Sequence, residues 1–138
     1  MQLSTVINVR VRFSEVDSIR MVWHGSYVAY LEDAREAFGR EHGLEYLYMF
    51  HQGYLAPMYD LHLQYQQTAG IDDLLTVRIT YHPCRGSKLM FDYLVTRQSD
   101  QAVILKATSI QLFTDLNGEL QLSEPDFFAQ WKRQHVNG

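Results

Sequence analysis

An α+β fold, with one long helix lying against an antiparallel sheet, is predicted by three features of this 138-residue sequence. Five stretches alternate apolar and polar residues with a period of two, while residues 27–43 repeat their apolar positions every three or four. The breaks between the later strands are too short for the crossovers that parallel pairing requires.

The first strand is expected over residues 7–13, where Ile7, Val9, Val11 and Phe13 alternate with Asn8, Arg10 and Arg12. Glu15, Asp17, Ser18, Arg20, His24, Gly25 and Ser26 then break the alternation, so residues 14–26 form an irregular connection. In the helix that follows, Tyr27, Tyr30, Leu31, Ala34 and Phe38 share one face, and Glu32, Asp33, Glu36, Arg40 and Glu41 take the other. Ser26 is placed to cap its start, Glu36 and Arg40 are a favourably oriented pair, and Gly43 suits the left-handed residue that ends many helices. Residues 44–53, rich in aromatics, read as a short second helix.

Four more strands are expected around residues 59–65, 75–81, 89–95 and 103–112. In the last, Val103, Leu105 and Ala107 give way to Ile110 and Leu112, a phase shift that predicts a bulge near Thr108 or Ser109, or burial on both faces. Asn117-Gly118 is a hairpin signal with room for a short returning strand at residues 119–122. Ser123-Glu124-Pro125-Asp126 supplies the hydroxyl, proline and acid of a helix start, and Phe127, Phe128 and Trp131 give that helix its apolar face. With no repeat and no linker, residues 1–138 read as one domain.

Composition narrows the function classes. Sixteen acidic against twelve basic side chains give a formal charge of -4 with no concentrated basic run, so no nucleic-acid partner is expected. A single cysteine, Cys84, excludes an internal disulfide scaffold. No basic segment followed by an apolar stretch opens the chain, and no window approaches the roughly 20 apolar residues of a membrane span. The expectation is a soluble cytoplasmic protein with no membrane partner. The six histidines, His24, His42, His51, His62, His82 and His135, show no metal-ligand spacing, so no metal is assigned.

The densest group of reactive side chains lies between Glu15 and Tyr27, beside the start of the long helix. A helix N-terminus presents unsatisfied N–H groups and a partial positive charge, which suit a carbonyl that is gaining negative charge. With Asp17 nearby as base or nucleophile, donor and carboxylate make a minimal acyl-transfer site. An aspartate between a strand and a helix serves equally well as a cap or turn former. Cys84 and His82 form no credible dyad, and Ser26 lacks the Gly-x-Ser-x-Gly turn of serine hydrolases. Trp23, Tyr48, Phe50 and Tyr54 are candidates to line a pocket, and equally candidates for the core.

The segments Phe13-Ser14-Glu15-Val16-Asp17, Met21-Val22-Trp23-His24-Gly25-Ser26-Tyr27 and Tyr30-Leu31-Glu32-Asp33-Ala34-Arg35 resemble the signature of the hotdog-fold acyl-CoA thioesterases of the 4-hydroxybenzoyl-CoA thioesterase and YbgC-like type. The resemblance implies a long helix wrapped by a curved antiparallel sheet, in homodimers or homotetramers whose sheets join and whose active sites lie between subunits. It assigns Asp17 as the catalytic carboxylate and the backbone N–H of His24 as the donor that polarises the thioester carbonyl. Trp23 and Tyr27 fall beside the substrate, and Arg85, Ser87 and Lys88 fall where a turn would meet the phosphates of coenzyme A. No cofactor is implied, because coenzyme A is part of the substrate. The family usually has glycine where this chain has Arg20, which predicts an altered loop path, an Arg20–Asp17 pair or a contact to ligand phosphate. That departure motivates an alternative, a hotdog-fold acyl-CoA binder without turnover. A third reading is an unrelated α+β ligand-binding barrel of the cystatin-like kind.

Overall fold

The computed structural model describes residues 2–136. In chain order it comprises β1 (Ser4–Arg10), a single 3-10 turn at Phe13–Glu15, α1 (Ser26–His42), α2 (Tyr46–His51), β2 (Tyr54–Leu55), β3 (Met58–Tyr65), β4 (Leu74–His82), β5 (Lys88–Arg97), β6 (Val103–Leu112), β7 (Thr114–Asp115) and α3 (Asp126–His135). Five strands form one antiparallel sheet in the order β1-β4-β5-β6-β3, and β2 pairs separately with β7.

The periodicities place the core. Tyr27, Tyr30, Leu31, Ala34 and Phe38 of α1 are buried against Leu75, Val77, Ile79 and Tyr81 of β4 and Leu89, Phe91, Tyr93 and Val95 of β5. Phe38 meets Phe91 edge-on at 4.9 Å and lies beside Trp131 of α3. Each such side chain withdrawn from water contributes about 1.5–3 kcal/mol of transfer free energy. Gly43, at φ 77°, ends α1 as its position suggests, and Glu36 pairs with Arg40 on the outer face. The indole N–H of Trp131 donates to the His42 carbonyl at 2.6 Å, so α3 satisfies one of the acceptors left open at the end of α1.

Five local expectations are corrected. β1 ends at Arg10 instead of residue 13, because Val11 turns into the core and exchanges backbone bonds with the Asp72-Asp73 turn; Phe13 is left 81% exposed. Ser26 is the first helical residue and Gly25 the cap; the Ser26 hydroxyl donates instead to the Glu15 carbonyl at 3.0 Å. β6 has no bulge at Thr108 or Ser109. Its register shift lies at Val103–Leu105, opposite Val95 and Thr96, and the buried face continues through Ser109 and Gln111 while Ile110 and Leu112 stay half-buried on the other side. Both buried polar residues find partners: Ser109 meets the Tyr93 hydroxyl at 2.8 Å, and Gln111 donates to the Ala56 carbonyl at 2.7 Å. Burial pushes the Tyr93 hydroxyl up to about 12, so it stays protonated in that bond. The returning strand after Asn117-Gly118 shrinks to one bridge between Thr114 and Leu120, since β7 is already paired with β2. Finally, α3 starts at Asp126 after an extended Pro125 with ψ 141°, so Ser123 lies outside the helix.

Candidate active site

The connection between β1 and α1 is irregular in outline and closely tied in detail. A bridge between Val16 and Val22 closes a small loop around Asp17, with Asp17 N donating to the Met21 carbonyl at 2.8 Å and Arg20 N to the Asp17 carbonyl at 3.0 Å. The carboxylate takes part: Asp17 Oδ1 accepts the N–H groups of Ile19 at 3.0 Å and Met21 at 3.2 Å. Its Oδ2 accepts nothing among the described residues. Asp17 is therefore the turn former through one oxygen, and the other oxygen is left without a partner among the described residues.

Arg20 adopts the left-handed conformation at φ 66°, and its carbonyl accepts the Ile71 N–H at 3.4 Å. The loop thus holds the turn that glycine would make, with the strain of a side chain carried there. No ion pair joins Arg20 to Asp17 among the described residues.

At the helix start, Trp23 N donates to the Glu15 carbonyl at 2.9 Å and Ser26 N to the Trp23 carbonyl at 2.8 Å, while the N–H groups of His24 and Gly25 have no backbone partner among the described residues. Tyr65, at the end of β3, donates its hydroxyl to the His24 carbonyl at 2.9 Å and so fixes the peptide next to those free donors. The Trp23 ring lies over Gly25, where a Cβ would come within 2.1 Å of it, so a side chain there requires the exposed indole to move aside, while the φ of -74° suits any residue. The His24 ring is exposed and packs at 4.8 Å on Trp23. Tyr27 is 3% exposed and edge-on to Tyr30 and Tyr65, a core side chain beneath the site. Burial raises its phenol, as it does that of Tyr30.

Sequence reasoning passed over Glu15. Its Oε1 accepts the buried Tyr30 hydroxyl at 2.9 Å and the Arg12 N–H at 2.8 Å, while its carbonyl holds Trp23 and Ser26. One residue thereby ties the Asp17 loop, the helix start and the helix face together. The signal was the spacing from Glu15 to Tyr30, which only the folded chain makes meaningful.

The other assigned residues lie elsewhere. Arg85, Ser87 and Lys88 belong to the β4–β5 turn, past the His82 end of β4, whereas the Asp17 loop sits by the Leu74 end, where Met21 bridges Gly70. The nine residues of β4 separate the two regions by about 26 Å. Arg85 is exposed and Lys88 half-buried, Ser87 Oγ is buried with no partner, and Lys132 of α3 reaches the Cys84 carbonyl at 3.1 Å to hold the turn.

At that same end, between α1, α2 and the starts of β3 and β5, lies a cavity of about 950 Å³. Phe38, Met58, Leu89 and Phe91 make much of its wall, Gln111 and Thr114 add polar groups, and Glu32, paired with Arg35, stands at its rim. None of Asp17, Trp23, His24, Tyr27, Arg85, Ser87 and Lys88 lines it, nor do the aromatic candidates Tyr48, Phe50 and Tyr54; Tyr48 and Tyr54 pack on Phe127 instead. Among the described residues no group of three or more His, Cys, Asp and Glu is placed to hold a metal, and no helix is long and apolar enough to cross a membrane.

Comparison with known proteins gives one consistent result. The sequence profile of the thioesterase-like superfamily matches residues 11–132. The putative acyl-CoA thioesterase YneP of Bacillus subtilis is 24% identical over 123 residues, 89% of this chain and 88% of that one. The acyl-CoA thioester hydrolase YbgC of Escherichia coli O157:H7 is 29% identical over 83 residues, 60% and 62% of the two chains. Among solved structures, the hypothetical protein TT1821 of Thermus thermophilus superposes with a TM-score of 0.82 at 25% identity, covering 95% of this chain and 98% of that one. A 4-hydroxybenzoyl-CoA thioesterase variant in complex with 4-hydroxybenzoyl-CoA does so at 0.81 and 21% identity, covering 94% and 98%.

Proposed function

Because the chain belongs to the thioesterase-like superfamily and has its hotdog fold, we propose that it hydrolyses an acyl-CoA thioester to a carboxylic acid and free coenzyme A. The observation that carries this reading is the pairing of an oriented carboxylate with a helix start whose N–H groups are free: Asp17 with one oxygen tied and one open, beside His24. Asp17 Oδ2 takes a proton from water, whose oxygen attacks the thioester carbon, or attacks that carbon itself. In either route the carbonyl oxygen gains charge and is received by the His24 N–H at the positive end of α1, and the C–S bond then breaks so that coenzyme A leaves as a thiolate. The thiolate takes its proton from the Asp17 carboxyl in the first route and from water in the second, where water also cleaves the Asp17 anhydride to release the acid and restore the carboxylate. Loss of a single such donor costs about 100- to 1,000-fold in rate, so the amide weighs as much as the carboxylate.

The separation of the Asp17 loop from the Arg85–Lys88 turn by the length of β4, about 26 Å, is read as a sign that the site is shared by two copies of the chain. β3 is an edge strand, and it runs from Met58 at the cavity to Tyr65 at the His24 carbonyl. Antiparallel pairing of two β3 strands would set Met58 of one chain opposite the partner's Tyr65, and so bring the partner's reactive loop to this chain's cavity and cationic turn. In that arrangement Arg85 and Lys88 receive phosphate at a turn whose Ser87 hydroxyl is buried, the cavity receives the acyl group, and Trp23 covers the reacting carbonyl. The non-catalytic alternative rested on Arg20, and it loses its motive because Arg20 already makes the left-handed turn.

The reading is tested by thiol release from short, medium, long and aromatic acyl-CoA esters, comparing wild type with Asp17→Asn. Turnover that falls a hundredfold or more in the variant is expected; bound but unhydrolysed esters would favour the binding module instead. The shared site is tested by mixing inactive Asp17→Asn with Met58→Trp, which fills the cavity. Random exchange should restore roughly a quarter of wild-type activity, because half the dimers are mixed and each holds one intact site. No recovery would place the site within one chain.

A further inference from the structure

Two successive peptide units at the start of α1 share one pattern, in which the carbonyl is bonded and the N–H is not. In the first, the Trp23 carbonyl accepts the Ser26 N–H at 2.8 Å, and the His24 N–H has no partner among the described residues. In the second, the His24 carbonyl accepts the Tyr65 hydroxyl at 2.9 Å, and the Gly25 N–H likewise has no partner among the described residues. The first bond is a local turn that the helix start makes for itself. The second comes from β3, 41 residues away in sequence.

Tyr65 is itself held in place. It is the last residue of β3, it pairs with Leu105 of β6, and its ring lies edge-on to the buried Tyr27 at 5.7 Å. A peptide unit is planar, so fixing its carbonyl also fixes the direction of its N–H. A hydrogen bond at the carbonyl polarises the unit as well, which makes that N–H a stronger donor. A donor aimed in advance stabilises a developing charge without reorganisation as the charge appears.

We propose that the Gly25 N–H is a second donor to the thioester oxygen beside that of His24, and that Tyr65 is its positioning residue. The inference rests on the reading of the Asp17 loop as a hydrolytic site, and it adds to that site a group supplied from the end of β3. Tyr65 acts through the His24–Gly25 peptide and not on the substrate. Loss of its hydroxyl should therefore weaken the donor where the oxygen carries most charge, lowering kcat and leaving KM unchanged.

The variant is Tyr65→Phe, which keeps the ring on Tyr27 and removes only the hydroxyl of a side chain that is 49% exposed, so the core stays intact. With whichever of hexanoyl-CoA and benzoyl-CoA wild type cleaves faster, kcat should fall about three- to tenfold while KM stays within about twofold. In nitrogen–proton correlation spectra of the free proteins, the Gly25 nitrogen should move upfield in the variant, because that nucleus reports bonding at the preceding carbonyl. The same two acyl groups are then offered as CoA analogues in which a methylene replaces the thioester sulfur, leaving a ketone that is not hydrolysed. At least one ketone should move the amide protons of both His24 and Gly25 downfield in wild type, and that of Gly25 less in the variant. An unchanged kcat, a loss that appears in KM instead, or a Gly25 proton that responds to neither ketone overturns the inference. Should Tyr65→Phe fail to fold, the wild-type response to the ketones decides the matter. Absence of thiol release from either ester sinks the hydrolase reading alone, and the ketones then still decide whether Gly25 donates to an acyl carbonyl.

Discussion

The two ends of the sheet differ in how completely they satisfy themselves. At the Leu74 end, the polar groups of the Asp17 loop are bonded within the chain: Glu15 by Tyr30 and Arg12, Asp17 Oδ1 by two amides, His24 O by Tyr65, and Asp73 Oδ2 by Gly70 N at 2.8 Å. Asp17 Oδ2 and the N–H groups of His24 and Gly25 are left without partners among the described residues, as are the exposed side chains of Ser14, Ser18 and Arg20. At the His82 end, Tyr81 OH, Ser87 Oγ and Gln111 Oε1 are buried without partners, and Gln111 is one of the residues that line the large cavity. A preorganised cluster whose few free groups point outward suits chemistry, since nothing there must rearrange as charge develops. A region with orphaned groups and empty volume suits a receptor that is completed by what it binds.

Substitutions at the two ends should separate these roles, beginning with the largest effect. Asp17→Asn retains an Oδ1 that accepts from Ile19 and Met21, so stability should stay within about 0.5 kcal/mol while thiol release falls by a hundredfold or more. Asp17→Ala should lose the same activity and also about 1 kcal/mol in urea unfolding, because both amides lose their acceptor. If the two variants prove equally stable, Asp17 does not form the turn. Next comes Tyr30→Phe, which removes a buried donor from Glu15; a loss of about 1.5 kcal/mol in stability is expected, and an unchanged unfolding midpoint would show that the loop is not anchored through Glu15.

Arg20→Gly should act in the opposite direction. Relief of the left-handed backbone outweighs the added freedom of the unfolded chain, for a gain of about 0.5–1 kcal/mol in thermal or urea denaturation. A loss would mean that the Arg20 side chain makes a contact worth more than the strain. The smallest effect is expected at the other end, where burial pushes the Cys84 thiol up against the lowering influence of Lys132 and Lys88. Alkylation by iodoacetamide at pH 7 should run several-fold slower than for a free cysteine and should accelerate as pH rises, since the thiolate is the reacting form. A rate equal to free cysteine would mark that end as more open than the structure shows.

Much of this architecture was legible from patterns of two and 3.6. The faces of α1, β4 and β5 are those their apolar residues predict, and Gly43 ends α1 in the left-handed conformation. The failures share one cause. Ser109 and Gln111 looked like a break in an apolar face, yet they belong to that face because Tyr93 and Ala56 meet them there. Phe13 looked buried, yet Val11 takes the inward place when the Asp72-Asp73 turn captures its backbone. In each case a partner more than ten residues away decided the outcome.

The same division holds for the site. The sequence by itself determined that Asp17 stands before the start of a long amphipathic helix and that Arg85, Ser87 and Lys88 share a turn, because loops and helix ends are written in adjacent residues. Only the tertiary structure decided that Asp17 divides its two oxygens between a turn and an open face, that Glu15 binds loop to helix through Tyr30, and that Gln111 lines a cavity at the opposite end of β4 from Asp17. The physical reason is that a hydrogen bond or a cavity exists only where two or more separate segments meet, and periodicity says which way a side chain faces without saying what faces it.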